Sequence, residues 1–202
     1  MACNLREVRL IMQSVLLISE HARHSASLKG ALESLRYRIL DDIEDASTLQ
    51  SHVARLTPDV VIVCTDSPRE KMLQGLRALA EASPRPVIVF ASDPKREVIR
   101  RSVEAGVAAY VVDGWTLERI PPIIDAACAR FEAYESVRKE LAATKTKLSE
   151  RKLIEKAKGI VMQQRGLSED EAYVTLRKMA MNQNLALAEV ARRVITVAQL
   201  LA

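Results

Sequence analysis

The stretch PDVVIVCTDSP at residues 58–68 decides the fold, because its run of apolar, mostly β-branched residues ends abruptly in polar ones. Similar runs follow the same plan: VLLIS (15–19), YRILDDI (37–43), PVIVF (86–90) and AAYVV (108–112). Apolar runs of about five residues without alternation are typical of parallel strands buried on both faces. Helical patterns separate them at about 25–36, 48–56, 69–82, 94–105 and from 116 onward. The alternation predicts an α/β fold, a flavodoxin-like (βα)5 domain over residues 14–130.

In such a sheet, functional groups gather at the carboxyl ends of the strands. The residues at those ends are Ser19, Glu20, Cys64, Ala91 and Asp113. With PDVVIVCTDSP, PVIVFAS (86–92) and GVAAYVVDG (106–114), this part of the chain resembles the receiver domain of response regulators. The resemblance implies an acidic pair that holds magnesium, an Asp nucleophile, a Ser or Thr, and a Lys at these ends.

The chain departs from that receiver pattern at nearly every position. The acidic pair is reduced to Ser19-Glu20, and Cys64, Ala91 and Asp113 stand where the nucleophile, the hydroxyl and the lysine belong. A thiol forms no acyl phosphate, a single carboxylate holds magnesium poorly, and Asp113 repels a phosphoryl group. The sequence therefore predicts a degenerate, non-enzymatic pseudo-receiver without metal or cofactor. A redox-sensing or nucleophilic Cys64 is the alternative, although no His follows in its loop.

Residues 131–149 are predicted to form a coiled-coil linker helix that ends near Ser149. Apolar or small residues recur there at spacings of 3, 4, 3 and 4: Tyr134, Val137, Leu141, Thr144 and Leu148. We call these five residues the seam. Such spacing favours a parallel homodimer through a coiled coil. The alternative is that the stripe packs on its own receiver-like domain.

The net charge of +4 lies entirely in the last third of the chain. Residues 1–130 carry 17 basic and 17 acidic side chains, whereas residues 131–202 carry 13 and 9. This asymmetry indicates a polyanionic partner for the C-terminal region. No apolar run approaches the ~20 residues of a membrane span, the N-terminus lacks a secretory segment, and the three cysteines are far apart. These features predict a cytoplasmic protein that does not associate with membranes.

Residues 150–202 contain three amphipathic helical patterns, and Ser168 with Glu171 forms a capping box before the second. The string ERKLIEKAKGIVMQQRGLSEDEAYVTLRKMAMNQNLALAEVARRVI (150–195) closely resembles the ANTAR domain of transcription antiterminators. With the pseudo-receiver and the coiled coil, the whole chain resembles an AmiR/NasT-type regulator, nearest to the NasT branch. The resemblance implies a three-helix domain that binds paired hexaloop hairpins in leader mRNA and prevents termination. It also implies control by a cytosolic ligand-sensing protein (NasS-like), for nitrate or nitrite assimilation genes.

Basic residues off the apolar stripes of these helices are the candidate RNA contacts. They are Arg151, Lys152, Lys156, Lys158, Arg165, Arg177, Lys178, Arg192 and Arg193. Tyr173, the only aromatic residue of this region, is a candidate stacking platform or a core residue beside Leu176. Gly159 lies in mid-helix, where it permits either close helix contact or close approach of RNA.

A DNA-binding response regulator is the alternative function, because three basic helices can also form a helix-turn-helix. Against it, Asn182-Gln183-Asn184 joins the last two helices without the usual glycine turn.

Overall fold

The apolar runs form the strands of one parallel sheet in a computed structural model that describes residues 13–20, 22–112 and 114–200. The strands are β1 (Ser14–Ser19), β2 (Arg38–Ile43), β3 (Val60–Thr65), β4 (Val87–Ala91) and β5 (Ala109–Val112). Their order in the sheet is β2-β1-β3-β4-β5. This is the flavodoxin-like order, so the predicted fold class is confirmed.

Helices follow the strands as the alternation predicts. They are α1 (Ala22–Ser34), α2 (Leu49–Leu56), α3 (Glu70–Ala82), α4 (Arg96–Glu104) and α5, which begins at Ile120. Alternate residues of each central strand face opposite sides of the sheet. In β3, Val61 and Val63 enter one hydrophobic cluster with α2 and α3, while Val60 and Ile62 enter another with α1 and α5. Burial on both faces explains why these strands read as continuous apolar runs.

The register of the sheet brings the strand ends together. Ser19 at the end of β1 pairs with Cys64 in β3, and Thr65 pairs with Ala91 at the end of β4. Ala91 in turn pairs with Val112 at the end of β5. Of the positions that the receiver resemblance singled out, Ser19, Cys64 and Ala91 therefore lie along one edge of the sheet.

Helix α5 is far longer than the sequence predicted. It runs without a break from Ile120 to Arg165, 46 residues, so the predicted end near Ser149 is wrong. No proline or glycine lies between Pro122 and Gly159, and one glycine does not end a helix that packing supports. The helix ends where Gly166 adopts a φ of 65°, the left-handed conformation that terminates helices.

By its internal contacts the chain divides into two units, residues 1–134 and 135–202. In the second unit the last part of α5 packs with α6 (Glu169–Gln183) and α7 (Leu187–Leu200). Ser168 caps α6, and its hydroxyl and the Glu171 carboxylate form the predicted capping box. The core is built from small and aliphatic side chains: Ala157, Val161, Ala172, Leu176, Ala180, Val190, Ala191 and Ile195.

The seam side chains are exposed in the single chain. Tyr134, Val137, Leu141 and Leu148 retain 53–67% of their accessible surface, and Thr144 is also exposed. A row of exposed apolar side chains along a helix is unusual for a surface in water. Among the described residues, no helix is both long and apolar enough to cross a membrane.

Candidate nucleic-acid interface and the altered acceptor pocket

At the carboxyl edge of the sheet, two carboxylates accept hydrogen bonds from neighbouring hydroxyl groups. The Thr65 hydroxyl donates to Glu20 Oε2 at 2.6 Å, and the Ser19 hydroxyl donates to Asp42 Oδ1 at 2.9 Å. Asp42, at the end of β2, was missed from the sequence, because the weak DDI pattern gives no sign of which aspartate faces this edge. Among the described residues, no group of three or more His, Cys, Asp or Glu side chains is placed to hold a metal ion.

Cys64 occupies the nucleophile position as a buried thiol. It is only 4% exposed, and burial, with the nearby Asp66 and Asp42 carboxylates, raises its pKa to about 11. The thiolate is the reactive form of cysteine, so this side chain stays protonated and inert at neutral pH. The structure therefore gives no support to a redox-sensing or nucleophilic Cys64.

Two further positions complete the comparison with a receiver. Ala91 is buried at the end of β4 and offers a methyl group where a hydroxyl is needed. Asp113 lies outside the described residues. In the loop after β4, the Asp93 carbonyl oxygen accepts a hydrogen bond from the Tyr110 hydroxyl at 3.0 Å, and Asp93 Oδ2 accepts one from the Ser67 hydroxyl at 2.8 Å. These bonds fix the loop after β4 to β5 and to the loop after β3.

Most of the candidate RNA contacts lie on the surface of the second unit, as predicted. Six of them are exposed and form no ion pair with any residue in the described part of the chain: Arg151, Lys152, Lys156 and Arg165 on α5, and Arg177 and Lys178 on α6. A cation without an internal partner breaks no ion pair when it meets an external anion, so these side chains are available to phosphates. We call these six side chains the free cations.

Lys158 departs from the expected surface position. It is 8% exposed, and its ammonium lies 2.9 Å from Glu155 Oε2 and 2.7 Å from Glu169 Oε1. The hydrogen bonds to these two carboxylates raise the pKa of Lys158. Since Glu169 opens α6, this lysine fastens α6 to α5. Its charge is already neutralised.

Arg192 and Arg193 share a carboxylate on their own helix. Arg192 Nη1 lies 2.8 Å from Glu189 Oε2, and Arg193 Nε lies 3.7 Å from Glu189 Oε1. Exposed pairs of this kind are weak, so both guanidinium groups can exchange Glu189 for another anion.

Tyr173 lies on the solvent face of α6. Its side chain is 42% exposed and does not belong to the C-terminal core, so the core alternative beside Leu176 is not what the structure shows. Tyr173, Arg177 and Met181 recur every four residues and form one row on the helix, with Met181 also exposed. An exposed ring beside a free cation is typical of surfaces that bind unpaired bases and their phosphates.

The turn between α6 and α7 corrects one sequence argument. Asn184 follows α6 with φ 51° and ψ 42°, the left-handed conformation that glycine usually supplies. Asn184 thus supplies the left-handed turn that a glycine usually provides. The missing glycine is therefore no argument against a helix-turn-helix. The turn residue does not distinguish RNA from DNA binding.

The comparisons with known proteins define the class. The family description of the ANTAR domain matches residues 142–195, which include the end of α5, α6 and most of α7. Residues 142–195 are thus an ANTAR domain, which confirms the C-terminal ANTAR domain that the sequence predicted. The match begins inside α5, before residue 150.

Two curated relatives are regulators. The chain is 25% identical to the transcriptional regulatory protein PdtaR of Mycobacterium tuberculosis, over 92% of this chain and 90% of that protein. It is 30% identical to the nitrate regulatory protein of Klebsiella oxytoca, over 66% of this chain and 33% of that protein. Both names describe regulatory proteins, not enzymes.

Solved structures agree with the fold of the first unit. The signal receiver domain of a modulated diguanylate cyclase from Desulfovibrio desulfuricans G20 superposes with a TM-score of 0.54 at 19% identity, over 61% of this chain and 98% of that one. A LuxR-family two-component response regulator from Aurantimonas gives 0.52 at 18% identity, over 58% and 86%. These similarities establish a receiver fold.

The acceptor pocket predicts that acetyl phosphate will not label the protein in the presence of magnesium. The variant Cys64→Asp should also stay unlabelled, because Glu20 and Asp42 already accept hydrogen bonds and Ala91 offers no hydroxyl. Incorporation of labelled phosphate measures this, with an intact receiver domain as the positive control in the same reaction. Stable, magnesium-dependent labelling of the wild type would contradict the assignment.

The buried Lys158 predicts a difference between two lysines two residues apart. Lys158→Met should lower the melting temperature of the protein, because it leaves Glu155 and Glu169 facing one another without a cation. Lys156→Met makes the same change of charge at an exposed, unpaired position and should leave the melting temperature almost unchanged. Calorimetry on both variants makes the comparison. Equal melting temperatures would show that Lys158 does not fasten the two helices.

Proposed function

We propose that this protein is a transcription antitermination regulator that binds leader RNA through its ANTAR domain. The observation that carries the proposal is the set of six free cations on α5 and α6 of that domain. A surface whose cations lack internal partners gains counterion-release free energy when it meets a phosphate backbone. The target is a pair of hexaloop hairpins, in keeping with the ANTAR resemblance.

The row Tyr173, Arg177 and Met181 supplies the contact to unpaired bases. Loop bases are splayed out of the helical stack and can lie against an aromatic ring, while the base-paired stem offers chiefly phosphates. The exposed ring of Tyr173 can stack on an unpaired loop base, and the neighbouring Arg177 can pair with a phosphate. This row therefore reads the hairpin loop, and the lysines of α5 hold the backbone.

A homodimer through the seam presents two ANTAR domains to two hairpins. The exposed apolar side chains of Val137, Leu141 and Leu148 are buried in such a dimer. Once one ANTAR domain has bound one hairpin, the second domain is held near the second hairpin at a high effective concentration. The overall affinity therefore rises without any new contact. This accounts for a seam that is only two heptads long.

The regulatory signal comes from a partner protein, not from phosphate. Cys64 and the carboxylates that hydroxyl groups satisfy leave the acceptor pocket without phosphoryl chemistry. A cytosolic ligand-sensing protein, NasS-like, holds the regulator until nitrate or nitrite arrives. The similarity to a nitrate regulatory protein supports the choice of ligand.

Removing charge from α6 should weaken RNA binding and its dependence on salt. The double variant Arg177→Gln with Lys178→Gln should reduce the slope of log affinity against log salt by roughly one unit for each phosphate that the protein no longer neutralises. The matched control, Arg96→Gln with Arg119→Gln, removes two exposed charges from the first unit. Titration of a two-hairpin RNA at several salt concentrations measures both. Identical slopes in the two double variants would refute the proposed surface.

Charges in the seam should dissociate the dimer. Leu141→Lys with Leu148→Lys places four lysines against one another in the coiled coil, so sedimentation should report a monomer. The control double variant Ala142→Lys with Ser149→Lys adds the same charges outside the seam. If the seam variant keeps the mass of the wild type, dimerisation uses another surface.

A further inference from the structure

Gly159 lies inside α5, less than two turns before its end at Arg165, and no contact in the described part of the chain requires a glycine there. A glycine inside a helix lowers helix stability relative to alanine. A Cβ atom built on Gly159 meets no heavy atom of the described chain within 4 Å, and its φ is not left-handed. At Gly75, by contrast, a Cβ would lie 2.8 Å from the carbonyl oxygen of Ala46, so internal packing explains that glycine.

The surroundings of Gly159 are basic and polar. With 3.6 residues per turn, Lys152, Lys156 and Gln163 fall within about a sixth of a turn of Gly159 on the helix surface. All three side chains are exposed. We call these four residues the glycine face. The core-forming side chains of α5, such as Ala157 and Val161, lie on the other side of the helix.

The one acidic neighbour of this face, Glu155, is paired, because it shares the ammonium of Lys158 with Glu169. Glu155 lies one turn before Gly159, and its carboxylate is 2.9 Å from the ammonium of the buried Lys158. Lys152 and Lys156 have no acidic partner among the described residues. The glycine face is therefore a positively charged strip with a gap at its centre where a side chain is missing.

We propose that the sugar-phosphate backbone of the RNA lies across the glycine face and comes closest to the protein at Gly159. The missing side chain lets a ribose or phosphate approach the helix backbone, while Lys152 and Lys156 pair with phosphates and Gln163 donates a hydrogen bond. This inference rests on the proposed RNA binding and assigns to Gly159 a specific part in it.

A second copy of this chain fits the face less well. Leu148 and Gly159 lie on nearly the same side of α5, so the contact of a seam dimer would have to continue along this face. There Lys152 and Lys156 would meet their own counterparts, and like charges repel, so the dimer contact ends before the glycine face. A polyanion instead gains from both lysines. The charge of the face therefore favours RNA over a protein copy.

The test uses the full chain with Gly159→Ala and Gly159→Leu. Gly30 provides the matched control, since it is an exposed glycine inside helix α1 with nothing within 4 Å of its Cβ position. The probe is an RNA of two hexaloop hairpins. Gly159→Ala should raise the melting temperature yet weaken RNA binding, and Gly159→Leu should weaken it by roughly tenfold or more, as crowding in a close contact does. Gly30→Ala and Gly30→Leu should leave RNA affinity unchanged.

The outcomes separate the two levels of the proposal. A wild type that does not bind the probe overturns the proposed function, and this inference with it. A wild type that binds, together with Gly159 variants of equal affinity, overturns the inference alone and leaves RNA binding in place. If Gly159→Leu instead loses self-association in sedimentation, the glycine face contacts a second copy, and the inference is wrong.

Discussion

Both functional halves of the protein depend on one helix. Helix α5 supplies Ile120, Ile124 and Ala127 to the core beneath the sheet, and Ala157 and Val161 to the core of the ANTAR domain. A helix that contributes to two separate cores needs an apolar stripe at each of them. In α5, the stripe near the start packs in the core beneath the sheet, and the stripe near the end packs in the core of the ANTAR domain. Between them the helix is exposed, and there the seam occurs. The small C-terminal core, largely alanine and valine, gains from being built on a helix that is already formed.

The receiver fold and receiver chemistry make different demands on the sequence. The fold needs apolar residues inside the strands, and these are present throughout β1, β3 and β4. The chemistry needs polar groups at the strand ends, and there a thiol and a methyl group replace the carboxylate and the hydroxyl. Two half-buried carboxylates near these ends, Glu20 and Asp42, accept hydrogen bonds from Thr65 and Ser19.

The sequence predicted the sheet, its order and the first helices well, because burial on both faces leaves an unambiguous apolar pattern. It failed where the structure depends on cooperation between elements. The continuity of α5 past Ser149 depends on packing at both of its ends, and the local sequence indicates it only through the absence of proline and glycine before Gly159. The left-handed Asn184 was missed because asparagine adopts this conformation only where the surrounding turn requires it.

The candidate site shows the same division. The free cations could be placed by helical periodicity alone, since positions off an apolar stripe are exposed. Lys158 could not, because its burial depends on Glu169, eleven residues away on another helix. The outward position of Tyr173 was likewise left open by the sequence, which offered both a core and a stacking reading.

The central claim is that the ANTAR domain of this chain recognises RNA and not duplex DNA. The direct measurement is a competition in which a labelled two-hairpin RNA is displaced from the full chain by unlabelled RNA or by duplex DNA of equal charge, at one fixed salt concentration. The exposed Tyr173 and the free cations predict that the RNA competes at least about tenfold better than the DNA. Duplex DNA that competes as well as the RNA, or better, would contradict the account.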